Sequence, residues 1–140
     1  RQGWGSRPFM RRLRDRGLEE MVTLTGTVPE TDLPALYSAA RLLALPSLYE
    51  GFGLPVLEAM ACGTPVVCSN TSSLPEVAGD AALLVAPADT ADWVDAIDRL
   101  LNDPALRSEL QARGQARAQR FTWAAAAEAT REVYRAVGGY

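Results

Sequence analysis

Residues 42–69, LLALPSLYEGFGLPVLEAMACGTPVVCS, run from a short apolar stretch through a glycine-bearing loop into a helical stretch and out to a second apolar stretch. Pro46 closes the first stretch, LLALP at 42–46. Leu54–Ala61 has helix character, with Pro55 suited to a first turn and Gly63 just past the end. PVVCS at 65–69 is apolar again. Apolar runs without alternation read as strands buried on both faces, and a helix between two of them returns the second strand parallel to the first. The predicted class is α/β, a Rossmann-like parallel sheet with helices on both faces.

The same order extends outward. Upstream, Arg7–Gly17 suggests a short basic helix, residues 21–25 (MVTLT) a buried strand closed by Gly26, and Asp32–Ala40 a further helix. Downstream, a short helical turn over Leu74–Ala78 precedes an apolar run, AALLV at 81–85. Beyond Pro87 only helices are predicted: Thr90–Leu101, with Trp93, Val94, Ile97, Leu100 and Leu101 at helical spacing, then Pro104–Arg120 and Thr122–Val137. Asp89 or Thr90 and Asp103 suit N-caps, and Pro104 suits a first helical position. The expected organisation is a single partial domain over 1–140, with strand–helix alternation in 1–87 and a C-terminal helical cover in 88–140. Ala124–Ala127 reads as a close-packed face of that cover.

At 140 residues and 48% hydrophobic side chains, the chain can bury one core of ordinary size. Its net charge of −3 argues against the basic surface that phosphate-backbone binding requires, so no nucleic-acid partner is expected. The 14 basic residues are all Arg, and His is absent, which removes histidine bases, histidine metal ligands and lysine Schiff bases from this segment. Cys62 and Cys68 have no further Cys or His to complete a zinc site; they read as small buried thiols in a reducing, cytoplasmic setting. No metal site is expected. No apolar run approaches the ~18 residues of a membrane span. The sequon Asn70-Thr71-Ser72 reads as chance, since no export signal is visible. Arg7, Arg11, Arg12, Arg14 and Arg16 read as a solvated helix face; contact with anionic lipid, which would place the protein peripherally on the inner face of a membrane, is the alternative.

Chemistry concentrates in Glu50-Gly51-Phe52-Gly53-Leu54-Pro55-Val56-Leu57-Glu58. This loop leaves the carboxyl end of a predicted parallel strand, where open α/β sheets bind ligands. Gly51 and Gly53 allow the backbone to approach a ligand, and the helix that follows offers N–H groups and a positive dipole end, a setting for phosphate or diphosphate. Glu50 and Glu58 bracket that anion site. Ionised carboxylates only accept hydrogen bonds, so they suit sugar hydroxyls and oppose phosphate. A polyol joined to a diphosphate meets both demands, with Glu50 toward the transferred sugar and Glu58 toward ribose. Each element alone is more often a turn glycine or a dipole-paired Glu; the full string is what carries the reading.

PSLYEGFGLPVLEAMACGTPVV resembles the C-terminal domain signature of family 4 retaining glycosyltransferases of the GT-B fold, whose two Glu residues are separated by seven. The likeness continues through FTWAAAAEATREVYRAV and covers nearly all of the chain. It implies an incomplete GT-B C-terminal domain in which Glu50, the candidate catalytic residue, anchors the donor sugar rather than acting as a general acid. It implies that Gly51, Phe52, Gly53 and Leu54 border the diphosphate, the last three through backbone N–H groups, and that Glu58 binds ribose. Gly26 and Val28, in LTGTVPE, match base-pocket positions; a turn glycine and a core valine are the plainer reading. SSLPEVAG at 72–79 matches a loop near the mouth of the site. No cofactor is implied; the substrate is a nucleotide-diphosphate sugar, GDP- or UDP-linked, with mannose or a related hexose as the donor guess. The acceptor is a glycan or lipid.

The chain begins at Arg1 without Met and reads as an internal segment of an enzyme more than twice its length, so alone it is expected to be inactive. The fold's usual strand order, 3-2-1-4-5-6, would leave residues 21–25 without a neighbour and 42–46 as an apolar edge. A companion chain, the missing N-terminal part of the same enzyme or a self-paired homodimer is expected there. Two other functions compete: a non-catalytic nucleotide-binding or assembly module, and a GT-B-like sugar-nucleotide epimerase, which would need acid and base residues outside this segment.

Overall fold

The structure is a computed structural model that describes residues 6–138. By internal packing the chain divides into two compact units, Arg1–Leu33 and Pro34–Tyr140. In the first, α1 (Ser6–Asp15) buries Leu13 and exposes Arg11, Arg12 and Arg14, and Arg16 just past its end is exposed as well; the Arg7 side chain lies outside the described ones. A single 3-10 turn follows at Glu19–Met21, where Arg14 pairs with Glu19 at 3.1 Å.

The strand expected at 21–25 does not form. Residues 22–25 are irregular, and Met21 and Leu24 are 80% and 59% exposed. A strand makes its backbone hydrogen bonds only with neighbouring strands, and among the described residues none lies beside this segment. Apolar β-branched composition therefore could not organise this segment alone.

In the second unit, α2 (Leu33–Ala39, whose first residue closes the other unit) leads into β1 (Leu43–Leu45), α3 (Leu54–Ala61), β2 (Val66–Ser69), α4 (Leu74–Ala78) and β3 (Leu83–Val85). The sheet is parallel in the order β1-β2-β3, with Leu43 opposite Val66 and Val67 opposite Leu83. Side chains alternate faces along a strand, so central β2 serves two cores. Val66 and Cys68 pack with Val56, Met60, Leu74 and Val77 of α3 and α4. Val67 packs on the other face with Trp93, Leu100 and Leu110. Helices cover both faces, as an all-parallel sheet demands.

Local chemistry sets the helix limits. Gly53 precedes α3 in a left-handed conformation, and Gly63 ends it at φ +75 with its N–H bonded to Met60 O. The carboxylate of Asp89 accepts the N–H groups of Ala91 and Asp92 to open α5 (Thr90–Asn102). Asp103 caps α6 (Pro104–Ala118) through Leu106 N–H, with Pro104 in its first turn. Gly114 of α6 lies so close to α3 that a Cβ there would sit 3.1 Å from Met60 Cγ, which ties the last layer to the first.

α7 (Trp123–Gly138), capped by Thr122 Oγ1, departs from the expected cover: it buries no residue, and Ala124–Ala127 are exposed. Alanine favours helix whether or not a surface meets it, so the composition carries no information about packing. Among the described residues no helix is long and apolar enough to cross a membrane.

Candidate functional site

The loops that leave the carboxyl ends of β1 and β2 meet. Glu50 N–H donates to Ser72 Oγ at 3.0 Å, Ser73 Oγ donates to Glu50 O at 3.0 Å, and Thr71 Oγ1 donates to Leu48 O at 3.3 Å. The Glu50 carboxylate is itself fixed, because Ser47 Oγ donates to Oε1 at 2.7 Å. Glu50 is half-buried.

From Glu50 the backbone turns into α3. Gly53 sits at φ +101, a region that side chains avoid, and a Cβ added there would lie 2.8 Å from Leu74 Cδ2. Gly51 differs: a Cβ on it would meet open space, so its backbone faces outward, free for an approaching group. No side chain among the described residues caps the first turn of α3, and Pro55 supplies no N–H. The helix therefore presents its positive end and the Leu54 side of its first turn outward. Leu54 is exposed, and so is Phe52, whose ring packs edge-on against Phe121 at 6.2 Å between centroids. Arg117 stacks on the other partner, 5.1 Å from the Phe121 centroid, and bonds Val77 O through Nε at 3.0 Å.

Glu58, one turn into α3, is exposed, and Tyr37 Oη donates to its Oε2 at 3.0 Å. The Tyr37 phenol is pushed up to about 12, first by burial and then by its hydrogen bond to the Glu58 carboxylate and the charge there. Thr64 Oγ1 holds Tyr37 from behind by donating to its carbonyl at 2.7 Å. Beyond Glu58 opens an apolar cavity of about 610 Å³, lined by Phe52, Leu54, Leu57, Phe121 and Trp123. The core thiol of Cys68 is pushed up to about 11 by burial and takes no part in the site. Both cysteines are free, and no group of His, Cys, Asp and Glu among the described residues could hold a metal.

Six of the expected residues, Glu50, Gly51, Phe52, Gly53, Leu54 and Glu58, thus lie on one loop and the start of one helix. Gly26 and Val28 belong to the first unit, where Gly26 takes φ +66 with open space beside it and Val28 is half-buried. Sequence reasoning gave no role to Tyr37 or Ser47, and it placed Ser72 and Ser73 only within a loop near the mouth of the site. Tyr37 and Ser72 reach their partners across 21 and 22 residues, a pairing without any local pattern.

The sequence profile of the family described as glycosyl transferases group 1 matches residues 4–117. The chain is 50% identical to the O-antigen chain mannosyltransferase B of Escherichia coli over 87% of its own length and 32% of that protein's. Sucrose-phosphate synthase from Thermosynechococcus elongatus superposes with a TM-score of 0.84 at 37% identity, covering 95% of this chain and 34% of the other. HepE of Anabaena, solved in complex with UDP-glucose, superposes with a TM-score of 0.84 at 26% identity, covering 94% of this chain and 37% of the other. The chain thus spans about a third of the length of each of these three proteins.

Proposed function

The chain belongs to the glycosyl transferases group 1 family, and from that membership we propose that it forms the donor-binding part of a retaining glycosyltransferase. The enzyme moves a hexose, mannose for preference, from a guanosine or uridine diphosphate to the hydroxyl of a glycan or lipid acceptor. The mannosyltransferase relative supports the sugar, and the neighbour solved with UDP-glucose supports a nucleotide-diphosphate donor. The observation that carries the reading is the ordered sequence of a held carboxylate, an outward-facing glycine turn, an uncapped helix start and a second carboxylate from Glu50 to Glu58.

Departure of the nucleoside diphosphate puts negative charge on its oxygens, so groups aimed there before reaction lower the barrier. In this reading the positive end of α3, with the Phe52, Gly53 and Leu54 backbone, takes that task, and its lack of a side-chain cap supports it. Glu50 takes sugar hydroxyls and so fixes the anomeric carbon relative to the acceptor. Glu58 takes ribose hydroxyls with the oxygen that Tyr37 leaves open. In this reading the acceptor site belongs to the longer enzyme, of whose relatives the chain spans about a third. β1 pairs on one side only among the described residues, and its open edge is where that remainder or a second chain adds.

The test is made on the full-length enzyme with calorimetric titration of GDP, UDP and their hexose derivatives, followed by transfer assays. Glu50→Gln is expected to lower kcat/KM about 100-fold with nucleoside diphosphate affinity kept. Glu58→Gln is expected to weaken nucleoside diphosphate binding about tenfold, the scale of one hydrogen bond to a charged group. Unchanged transfer in both variants would remove the assignment.

A further inference from the structure

Two local preferences are sacrificed in the loop that follows β2. Ser72 holds φ +51, and no other residue with a side chain has positive φ among those described. For a residue with a Cβ this conformation is sparsely populated, and such strain persists where surrounding contacts impose it. Ser73 stands at the N-cap of α4, where a serine ordinarily accepts a hydrogen bond from its own helix, yet it makes no such bond. Both hydroxyls go instead to one residue. Ser72 Oγ accepts the Glu50 N–H and Ser73 Oγ donates to the Glu50 carbonyl, each at 3.0 Å. They seize that peptide segment from both polar sides, while Ser47 seizes the carboxylate at 2.7 Å.

Ser73 forgoes the cap of its own helix and Ser72 an ordinary backbone conformation, while Ser47 reaches Glu50 from three residues upstream. Converging on Glu50, they fix its backbone by two contacts and one of its two carboxylate oxygens by a third. The remaining oxygen, Oε2, has no hydrogen-bond partner among the described residues. We propose that Ser47, Ser72 and Ser73 are positioning residues that hold Glu50 so that a single carboxylate oxygen faces the donor sugar. The inference rests on the proposed sugar-anchoring role of Glu50 and deepens it. With Ser47 on Oε1, Oε2 is the oxygen that keeps all of its accepting capacity for donor hydroxyls. The three serines act through Glu50 and do not themselves touch the diphosphate, which α3 meets through its backbone.

The division of labour gives the test, made on the full-length enzyme with GDP- and UDP-hexoses as probes. Ser47→Ala is expected to lower kcat/KM for transfer roughly tenfold while the affinity for the bare nucleoside diphosphate stays within about twofold. Ser47→Thr, which keeps the hydroxyl, is expected to restore most of the loss. Ser72→Gly removes the hydroxyl and relieves the strain at once. Its melting temperature is expected to hold or rise while kcat/KM falls several-fold, an opposition that a merely structural role for Ser72 would not produce. In a Glu50→Gln background, Ser47→Ala is expected to add nothing. Wild-type transfer by the serine variants, with Glu50→Gln impaired, overturns the positioning role and leaves the sugar anchor standing. Equal loss of nucleoside diphosphate binding and transfer in Ser47→Ala overturns it too, because the loop as a whole has then collapsed. A neutral Glu50→Gln removes the anchor itself, and this inference with it.

Discussion

Replacing Gly53 by alanine should damage the protein far more than the same replacement two residues earlier. At φ +101 the new Cβ forces a side-chain residue into a region that costs roughly 1–2 kcal/mol. It also lies 2.8 Å from Leu74 Cδ2, and Leu74 is fully buried in the core beneath α3 and α4, so it cannot swing into solvent. Overpacking of that kind costs about 1–3 kcal/mol. The stiffer unfolded chain returns about 0.4–1 kcal/mol, which leaves a net loss of about 1–4.5 kcal/mol. Gly51→Ala meets open space at an ordinary φ and should stay within about 0.5 kcal/mol of the parent. Urea unfolding followed by fluorescence reads the difference, since Trp93 is buried against β3 and bonded to Ala86 O. At constant slope the midpoint shift gives the free energy directly. If Gly53→Ala matches Gly51→Ala, the loop does not press its left-handed turn onto Leu74 and the geometry built on it is wrong.

Alkaline stability offers a second measurement. Cys68 and Tyr37 both have raised folded values, about 11 and about 12, so each favours the folded state fully below its ordinary value of 9.0 or 10.0. That contribution is lost as pH rises through the folded value, because the unfolded chain sheds the proton first. Stability should therefore fall from about pH 9 toward 12, and Tyr37→Phe should shallow the fall above pH 10 and flatten it from about pH 11 to 12, while the part below, set by Cys68, stays in place. An unchanged profile in Tyr37→Phe would sever the Tyr37–Glu58 contact from the titration. Hydrogen exchange addresses the open edge. Leu43 N–H bonds Pro65 O, so the Ala44 amide points away from β2, and it should exchange at least 100-fold slower than an unstructured amide in the full-length enzyme. Free exchange there would leave the edge unpaired and remove the proposed partner segment.

Much of the architecture was legible from residues 42–137 because local chemistry enforces it. Leu54–Ala61 and Leu74–Ala78 match their expected bounds, since a proline in the first turn and a glycine just past the end fix each helix. Asp89 and Asp103 cap as expected, for the same local reason. The failures lie where the outcome depends on a partner surface. MVTLT has strand composition and no neighbouring strand. The alanines of α7 have helix propensity and remain exposed.

The same boundary runs through the site. The string from Glu50 to Glu58 determined by itself that two carboxylates flank a glycine turn and a helix start, because these features are consecutive and spacing alone sets them. Only the tertiary structure decided how each carboxylate is held. Tyr37 arrives at Glu58 from α2, and Ser72 and Ser73 arrive at Glu50 from the loop after β2. Parallel strands bring their carboxyl-end loops together whatever their distance in sequence, and a hydroxyl commits to a partner only once that partner is beside it.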